Sequence, residues 1–199
     1  MKRIFDIIAA SGGLAVLSPL LIGISWRIKR EDGGPVFYRG ARVGIHGKTV
    51  RIFKFRTMVV NAQNLGGPST SDDDPRITRI GRFLRKYKVD ELPQLINVFR
   101  GEMSFVGPRP EVASEVEQYD ANARRLLTVR PGITDYSSIK FRNEGEIVSG
   151  YPDPHKAYKE LIQPGKIRLG LHYVDTHNLW IDLRLIFKTI AVAVCKIEK

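Results

Sequence analysis

An uncharged stretch near the N-terminus constrains the fold more than any other feature of this sequence. Residues 7–26 contain no Asp, Glu, Lys or Arg, and about 20 apolar residues are enough to cross a bilayer as a helix. Cations flank this stretch on both sides, at Lys2, Arg3, Arg27, Lys29 and Arg30. Because Lys and Arg accumulate on the cytoplasmic side of membrane segments, we expect both ends to lie on that side.

Ser18 and Pro19 stand near the centre of the apolar stretch. Proline removes a helical hydrogen bond and disfavours helical geometry in the residue before it, so we predict a break there, with the Ser18 hydroxyl satisfying a freed backbone group. A re-entrant helical hairpin over residues 1–30 would leave both basic ends on one face, and residues 31–199 would form the cytoplasmic domain. The alternative is a straight span with a proline kink, which membranes tolerate. A cleaved signal peptide is disfavoured because no small-residue cleavage site precedes Arg27.

The charge balance indicates an anionic partner. The formal net charge is +11 and 43% of the residues are hydrophobic, which predicts a folded domain that binds nucleic acid, anionic lipid or a phosphorylated substrate. The single cysteine, Cys195, excludes an intrachain disulfide and a cysteine-based zinc site. The four histidines show no metal-ligand spacing.

A β-hairpin is predicted around the turn at His46 and Gly47. Alternation along its second strand puts Lys54 and Arg56 on one face, where they are either a phosphate-binding pair or solvated cations. The loop that follows carries Asp72, Asp73 and Asp74, which are either metal ligands or solvated acids.

Two amphipathic helices are predicted, and both are candidates for a membrane surface. Residues 76–88 hold six cations and no acid with apolar residues interleaved, a pattern typical of a helix on anionic membrane, although a nucleic-acid-binding helix has a similar pattern. A last helix, roughly 178–196, mixes aromatic and aliphatic residues with cations, and it packs either on the core or at the interface.

An acidic pair interrupts this basic background in the hexapeptide VDELPQ, residues 89–94. Apolar spacing and Pro93 place a helix start close to Asp90. Taken alone, the hexapeptide therefore predicts that Asp90 is an N-cap, with Glu91 stabilised by the positive end of the helix dipole. Further along, Arg109 stands between two prolines that restrict where its guanidinium points, which suits either diphosphate recognition or a surface turn.

The motifs KFRTM, DPRITRIGRFLRK, DELPQLINVFRGEMSFVGPRP and RPGIT occur here in the order seen in the bacterial sugar transferase family. The sequence resembles the small monotopic phosphoglycosyl transferases of that family over nearly its whole length, as a catalytic core only. The resemblance implies transfer of a sugar 1-phosphate from a UDP-sugar to polyprenol (undecaprenyl) phosphate in the cytoplasmic leaflet of the bacterial inner membrane, with release of UMP. It makes Asp90 the nucleophile that forms a phosphosugar intermediate and gives Glu91 a supporting role.

This chemistry needs positive charge around two anionic groups. We expect it from Mg²⁺, held by Asp90 and Glu91, and from Lys54, Arg56, Arg85 and Arg109 as substrate-binding residues. The predicted fold is an irregular α/β (α+β) arrangement, with a small sheet, interfacial helices and the N-terminal membrane hairpin. Polyprenol phosphate, membrane lipid and a UDP-sugar are the expected partners, nucleic acid is not, and a homodimer is a further expectation.

Two other classes of function also fit the residues. A membrane-tethered basic module that binds anions without chemistry would explain the charge, but it gives Asp90 and Glu91 no role. A metal-dependent phosphohydrolase would cleave the same nucleotide sugars without a lipid acceptor. One departure from the family pattern follows RPGIT, where this chain continues with Asp135 and Tyr136, and it bears on sugar preference.

Overall fold

The protein is described here from a computed structural model that covers residues 1–65 and 74–194. Its α-helices are α1 Lys2–Asp32, α2 Arg79–Lys86, α3 Leu95–Arg100, α4 Ala113–Val116, α5 Tyr136–Lys140, α6 Glu144–Ile147, α7 Pro154–Ala157, α8 Gln163–Thr176 and α9 Leu179–Val194. The strands are β1 Phe37–Val43, β2 Thr49–Phe55, β3 Ser104–Val106 and β4 Gly132–Thr134. The mixed α/β class with small sheets is therefore confirmed.

The apolar N-terminal segment forms one helix, α1, which continues through Pro19. The sequence predicted two helices separated by a break at Ser18 and Pro19. The structure has one continuous helix there, so the predicted break is wrong. Proline cannot donate to the carbonyl four residues earlier, and that carbonyl belongs to Ala15. The Ser18 hydroxyl donates to the Ala15 carbonyl oxygen at 2.8 Å. This bond is the compensation predicted for the serine, and it helps the helix to pass the proline.

Both ends of α1 pack against the same body of the protein. Near the N-terminal end, Ala10 joins a buried cluster with β2 and α3, and near the C-terminal end Ile28 packs on Phe55 and Leu84. The carboxylate of Glu31 accepts hydrogen bonds from the first backbone amides of α2. Between these contacts the helix is largely exposed, with Val16 79% exposed. Of the described helices, α1 is long and apolar enough to cross a membrane, and 11% of its most apolar window is buried.

The predicted hairpin is present as β1 and β2. The two strands pair antiparallel, from Phe37 opposite Phe55 to Val43 opposite Thr49, and the turn contains His46 and Gly47 at positive φ. Asn97 of α3 makes two hydrogen bonds to the backbone of β2. Its side chain accepts from the Phe53 amide at 2.8 Å and donates to the Arg51 carbonyl at 3.0 Å. The hairpin is thereby fixed against the element that follows the acidic pair.

The short parallel pair β3 and β4 depends on two glycines. A Cβ atom at Gly132 would lie 2.1 Å from the Gly107 nitrogen, and one at Gly107 would lie 2.2 Å from the Arg130 carbonyl oxygen. Neither distance is sterically allowed, so only glycine permits this approach. The glycine of RPGIT and the glycine before Pro108 are therefore explained by backbone packing.

The pattern of residues 111–129 is typical of one helix, but the structure forms only α4 and a 3₁₀ helix at Ala123–Thr128 there. Asp120 ends the pattern because its side chain accepts from the Ala123 amide at 2.7 Å, a local bond that competes with a continuous helix. The predicted last helix is present as α9, and residues 195 and 196 lie outside the described residues.

Candidate active site

The acidic pair lies in a 3₁₀ helix, Val89–Gln94, that leads directly into α3. Lys88 precedes it at φ 56°, in the left-handed region that non-glycine residues rarely adopt. The N-cap position is occupied by Lys88, and no side-chain capping bond is made there. The prediction that Asp90 is an N-cap is therefore wrong. Backbone strain of this kind concentrates at functional sites. The acidic pair is therefore a candidate for a functional site.

Glu91 is held between two cations from distant parts of the chain. Lys54 of β2 donates to Glu91 Oε1 at 2.7 Å. Arg109 donates to both carboxylate oxygens, at 3.2 Å to Oε2 and by a shorter bond to Oε1. Such two-pronged pairing is the geometry that arginine is suited to make with a carboxylate. The structure therefore brings together three of the residues predicted for the site.

Asp90 has a different environment from its neighbour. It is 8% exposed, and its Oδ1 atom is buried without a hydrogen-bond partner among the described residues. Burial raises the pKa of Asp90, while the charge of Lys54 opposes that rise and the charge of Glu91 adds to it. A buried carboxylate without a hydrogen-bond partner lowers the stability of the fold. Its presence at this position therefore indicates a role other than stabilising the fold.

The pKa of Glu91 moves the other way. Burial by itself would raise it, but the charges of Arg109 and Lys54 hold the pKa well below its usual value of 4.5. The negative charge of Glu91 in turn raises the pKa of Arg109. Adjacent carboxylates with pKa values driven apart are a recognised sign of divided roles in a site.

This divergence gives a prediction for the pH dependence of stability. A carboxyl whose pKa is depressed in the folded state stabilises the fold above its unfolded pKa and loses that contribution as pH falls. The difference in free energy of unfolding between wild type and Glu91→Gln, measured by urea titration in detergent, should be constant near neutral pH. It should shrink as pH falls below the usual value of 4.5. A difference that is independent of pH down to 3 would contradict this assignment.

The other two predicted cations are placed differently. Arg85 donates from Nε to Thr57 Oγ1 at 2.9 Å, and its charge is among those that oppose the rise in the pKa of Asp90. Arg56 lies just after β2 and pairs with Asp32 at the end of α1, including Nη1 to Oδ2 at 2.6 Å. Its Nε also donates to the Pro35 carbonyl at 2.6 Å. Arg56 thus joins the β1–β2 hairpin to helix α1 and is not brought to the acidic pair.

We expect Arg56→Ala to lower stability and to leave donor binding unchanged. Removing one partner of a buried pair costs about 3–5 kcal/mol. Because Asp32 is 30% exposed, we expect about 2 kcal/mol, or a fall in Tm of about 4–8 °C. Thermal unfolding in detergent tests this, with Arg51→Ala as the control, because Arg51 is an exposed residue of the adjoining strand β2. An unchanged Tm with a raised KM for the sugar donor would instead make Arg56 a substrate-binding residue.

A large cleft borders the acidic pair. Its volume is about 390 Å³, and Glu91 and Arg109 line it, whereas Asp90 does not. Glu144 and Lys166 also line the cleft and pair with each other at 2.5 Å. Sequence reasoning did not select either residue, because they stand in segments without a recognisable motif. The charge of Arg109 helps to lower the pKa of Glu144, which places these residues in one electrostatic network with Glu91.

A protein-only metal cage is absent from the described part of the chain, in which no group of three or more His, Cys, Asp or Glu side chains is arranged to hold an ion. Of the loop acids, Asp74 pairs with Arg76 at 2.6 Å, and Asp72 and Asp73 lie outside the described residues. Mg²⁺ is commonly bound by one or two carboxylates together with substrate phosphates. The unpartnered oxygen of Asp90 fits that kind of site.

Asp90, whose buried Oδ1 atom has no hydrogen-bond partner among the described residues, next to Glu91, which two cations hold, forms a candidate active site. The sequence comparisons identify the family. A model of the family described as "Bacterial sugar transferase" matches residues 1–196. The chain therefore belongs to the bacterial sugar transferase family.

Individual relatives cover most of this chain. It is 38% identical to "Exopolysaccharide production protein ExoY" of Sinorhizobium fredii, over 98% of this chain and 85% of that protein. It is 36% identical to "Undecaprenyl-phosphate galactose phosphotransferase" of Salmonella typhimurium, over 96% of this chain and 40% of the relative. It is 35% identical to "UDP-glucose:undecaprenyl-phosphate glucose-1-phosphate transferase" of Escherichia coli, over 96% of this chain and 39% of that relative. The chain thus spans about two fifths of the length of the last two proteins.

Proposed function

We propose that this chain transfers a sugar 1-phosphate from a UDP-sugar to a polyprenol phosphate and releases UMP. The observation that carries the proposal is the acidic pair, in which Asp90 keeps an oxygen without a partner in the described part of the chain while Glu91 is bound by two cations. Family membership and the names of the Salmonella and Escherichia relatives support it. The reaction would be the first membrane step in assembly of a glycoconjugate, such as an exopolysaccharide, capsule, O-antigen or glycoprotein glycan.

The proposed chemistry uses Asp90 as a nucleophile in two in-line displacements. In the first, a carboxylate oxygen of Asp90 bonds to the sugar-bearing phosphorus, and the bond from that phosphorus to the bridging oxygen breaks. UMP leaves with the electron pair. In the second, a phosphate oxygen of the lipid bonds to the same phosphorus, and the acyl phosphate bond breaks to return the carboxylate of Asp90. The product is a lipid diphosphosugar.

Contacts favour Asp90 over Glu91 as the nucleophile. Both oxygens of Glu91 accept hydrogen bonds from cations, which stabilise its charge and lower its reactivity. Residues in a 3₁₀ helix are separated by about 120°, so the two side chains have separate surroundings. Glu91 instead positions Lys54 and Arg109, whose positive charge reduces repulsion between Asp90 and a diphosphate.

We propose that Mg²⁺ binds at the same place, with Asp90 and Glu91 as the carboxylates nearest to it. Lys54 and Arg109 already bind Glu91, whereas the buried Oδ1 atom of Asp90 has no hydrogen-bond partner among the described residues, so it is the oxygen that we assign to the ion. When bound with the substrate diphosphate, the ion would neutralise part of its charge.

We further propose that α1 is re-entrant and that the enzyme is monotopic in the bacterial inner membrane, with its catalytic domain facing the cytoplasm. A helix that crosses a bilayer places its ends on opposite sides. The two ends of α1, however, pack on one body, and its exposed middle is apolar. Insertion of that middle into one leaflet satisfies both observations and brings the site to the level of the lipid phosphate.

Cysteine labelling tests this topology. In a Cys195→Ser background, Ile4→Cys and Arg30→Cys report the two ends of α1, and Val16→Cys reports its middle. A membrane-impermeant maleimide should label neither end in intact spheroplasts and both ends after permeabilisation, while Val16→Cys reacts only in detergent. Labelling of one end alone in intact spheroplasts would indicate a straight span and overturn the re-entrant proposal.

The reaction itself is tested with detergent-solubilised protein, Mg²⁺, undecaprenyl phosphate and a panel of UDP-sugars. We expect sustained UMP release with selected sugars, and only when the lipid is present. Sustained release of sugar phosphate without lipid would identify the phosphohydrolase. A basic binding module would give no UMP from any sugar, and it would retain anion binding in an Asp90→Asn variant. Nucleic acid is not an expected partner of the protein.

The predicted homodimer is tested separately, by measuring the size of the purified protein in the same detergent.

A further inference from the structure

The cleft beside the acidic pair has a wall that the proposed chemistry does not use. Besides Glu91 and Arg109, aliphatic and aromatic side chains line it. These come from the 3₁₀ helix of the acidic pair, from α3, from β3 and β4, and from α9, and they include Leu92, Leu95, Phe105, Ile133, Ile186 and Ile190. A site that combines charged groups with an apolar wall suits an amphipathic ligand.

Most polar groups of that wall are already paired. The hydroxyls of Thr134 and Thr189 bond to each other at 2.7 Å, so they offer little to a sugar or a base. Ser138 lines the cleft, and its Oγ atom is buried without a partner among the described residues. The wall is therefore suited to hydrocarbon rather than to a nucleoside.

The charged lining of the cleft is predominantly positive. Its cations are Lys86, Lys88, Arg109, Arg142 and Lys166, against the two carboxylates of Glu91 and Glu144. A phosphate is attracted to such an excess. The ligand that matches both parts is therefore an anionic head with an apolar chain.

Helix α9 connects the cleft to the apolar exterior. Ile190 lines the cleft and is also 55% exposed. Phe187 and Trp180 on the same helix are exposed as well. Large exposed apolar side chains on one helix are typical of an interfacial segment, so the cleft has an opening through which a chain can continue into the bilayer.

We propose that this cleft binds the phosphate-proximal isoprene units of the polyprenol phosphate, with Ile190 at its opening. The inference rests on the proposed function and adds the location of the acceptor lipid. A volume of about 390 Å³ lies at the lower end of ordinary small-molecule sites, which span about 300–1,000 Å³. Only the first part of a long polyprenol fits, and the rest of the chain stays in the bilayer.

Filling the opening tests the proposal. Ile190→Trp should raise the KM for undecaprenyl phosphate about tenfold, because overpacking in a fitted site costs binding free energy. The KM for the UDP-sugar should change less than about twofold, since the donor does not use the wall. Phe187→Trp is the matched control, because it makes the same kind of change on the same helix outside the cleft, and its lipid KM should equal that of wild type.

The outcomes separate this inference from the proposed function. If the wild type forms no lipid product from any UDP-sugar, the proposed function fails. If wild type and Ile190→Trp turn over with the same lipid KM, the function stands and the cleft is not the lipid site. If the KM for the donor rises instead, the wall binds the nucleotide sugar, which also overturns the proposal.

Protection from labelling gives a readout without catalysis. Ile190→Cys in a Cys195→Ser background should react with a maleimide in detergent, and undecaprenyl phosphate should slow that reaction about fivefold or more under conditions of near-complete occupancy. Dodecyl phosphate at equal concentration controls for the bulk effect of an anionic amphiphile. Equal rates with and without undecaprenyl phosphate would overturn the proposal, and so would equal slowing by both compounds.

Discussion

Replacing Asp90 with Asn is expected to reduce lipid-dependent UMP release by about 10⁴-fold or more, the loss typical of removing a catalytic nucleophile. The amide keeps the shape of the side chain but cannot attack phosphorus. Stability should not fall with activity. Because Asp90 is a buried carboxylate with an oxygen that has no partner within residues 1–65 and 74–194, its neutral isostere removes a desolvation penalty, and we expect Tm to stay constant or rise. Steady-state kinetics and thermal unfolding on one preparation measure both effects.

Asp175→Asn is the matched control for this variant. Asp175 is exposed and pairs with Arg125 at the surface, where an ion pair contributes little to stability. Both its activity and its Tm should equal those of wild type. Activity of Asp90→Asn within about tenfold of wild type would remove Asp90 as the nucleophile. A large fall in Tm would show instead that the carboxylate supports the fold.

Replacing Glu91 with Gln is expected to lower kcat by about 10²–10³-fold, the range seen when one electrostatic contribution to a transition state is lost. The amide cannot hold Lys54 and Arg109 with the same strength, so their charge is no longer fixed beside Asp90. Unlike Asp90→Asn, this change should also lower Tm, because it removes the negative partner of two cations. Exchange of Glu117, which is exposed, for Gln controls for loss of a surface charge.

The two substitutions are therefore expected to differ in their effects on activity and on stability. Asp90→Asn should lose activity and keep stability, and Glu91→Gln should lose part of each. If Glu91→Gln were the more damaging change for kcat while its Tm stayed constant, the roles of the two residues would be reversed.

Local patterns made much of the fold predictable from sequence. Strand alternation around His46 and Gly47 predicted the hairpin, and the basic amphipathic pattern predicted α2. The hydrogen bond from the Ser18 hydroxyl to the Ala15 carbonyl was also predictable, because Pro19 has no amide hydrogen to donate to that carbonyl and Ser18 is close to it in the chain. In each case the deciding interaction joins residues that are close in the chain.

Sequence patterns were not sufficient where contacts between distant residues determine the structure. Arg56 is indistinguishable from Lys54 in the strand pattern, yet Arg56 pairs with Asp32 of α1 and Lys54 pairs with Glu91. The N-cap prediction for Asp90 was wrong because Lys88 adopts a positive φ, which no simple residue preference indicates. Glu144 and Lys166 reach the cleft only through tertiary packing. The family resemblance identified the acidic pair, and the contacts supply the reason for two carboxylates at that place.

The central claim is that Asp90 carries the phosphosugar between donor and lipid, and intact-mass spectrometry tests it most directly. Protein incubated with Mg²⁺ and the preferred UDP-sugar, without lipid, should gain the mass of one sugar phosphate. That mass should map to the peptide containing Asp90 and disappear when undecaprenyl phosphate is added. Asp90→Asn should show no gain. Full lipid-dependent turnover by wild type without any adduct under rapid quenching, or an adduct that maps to Glu91, would contradict the account.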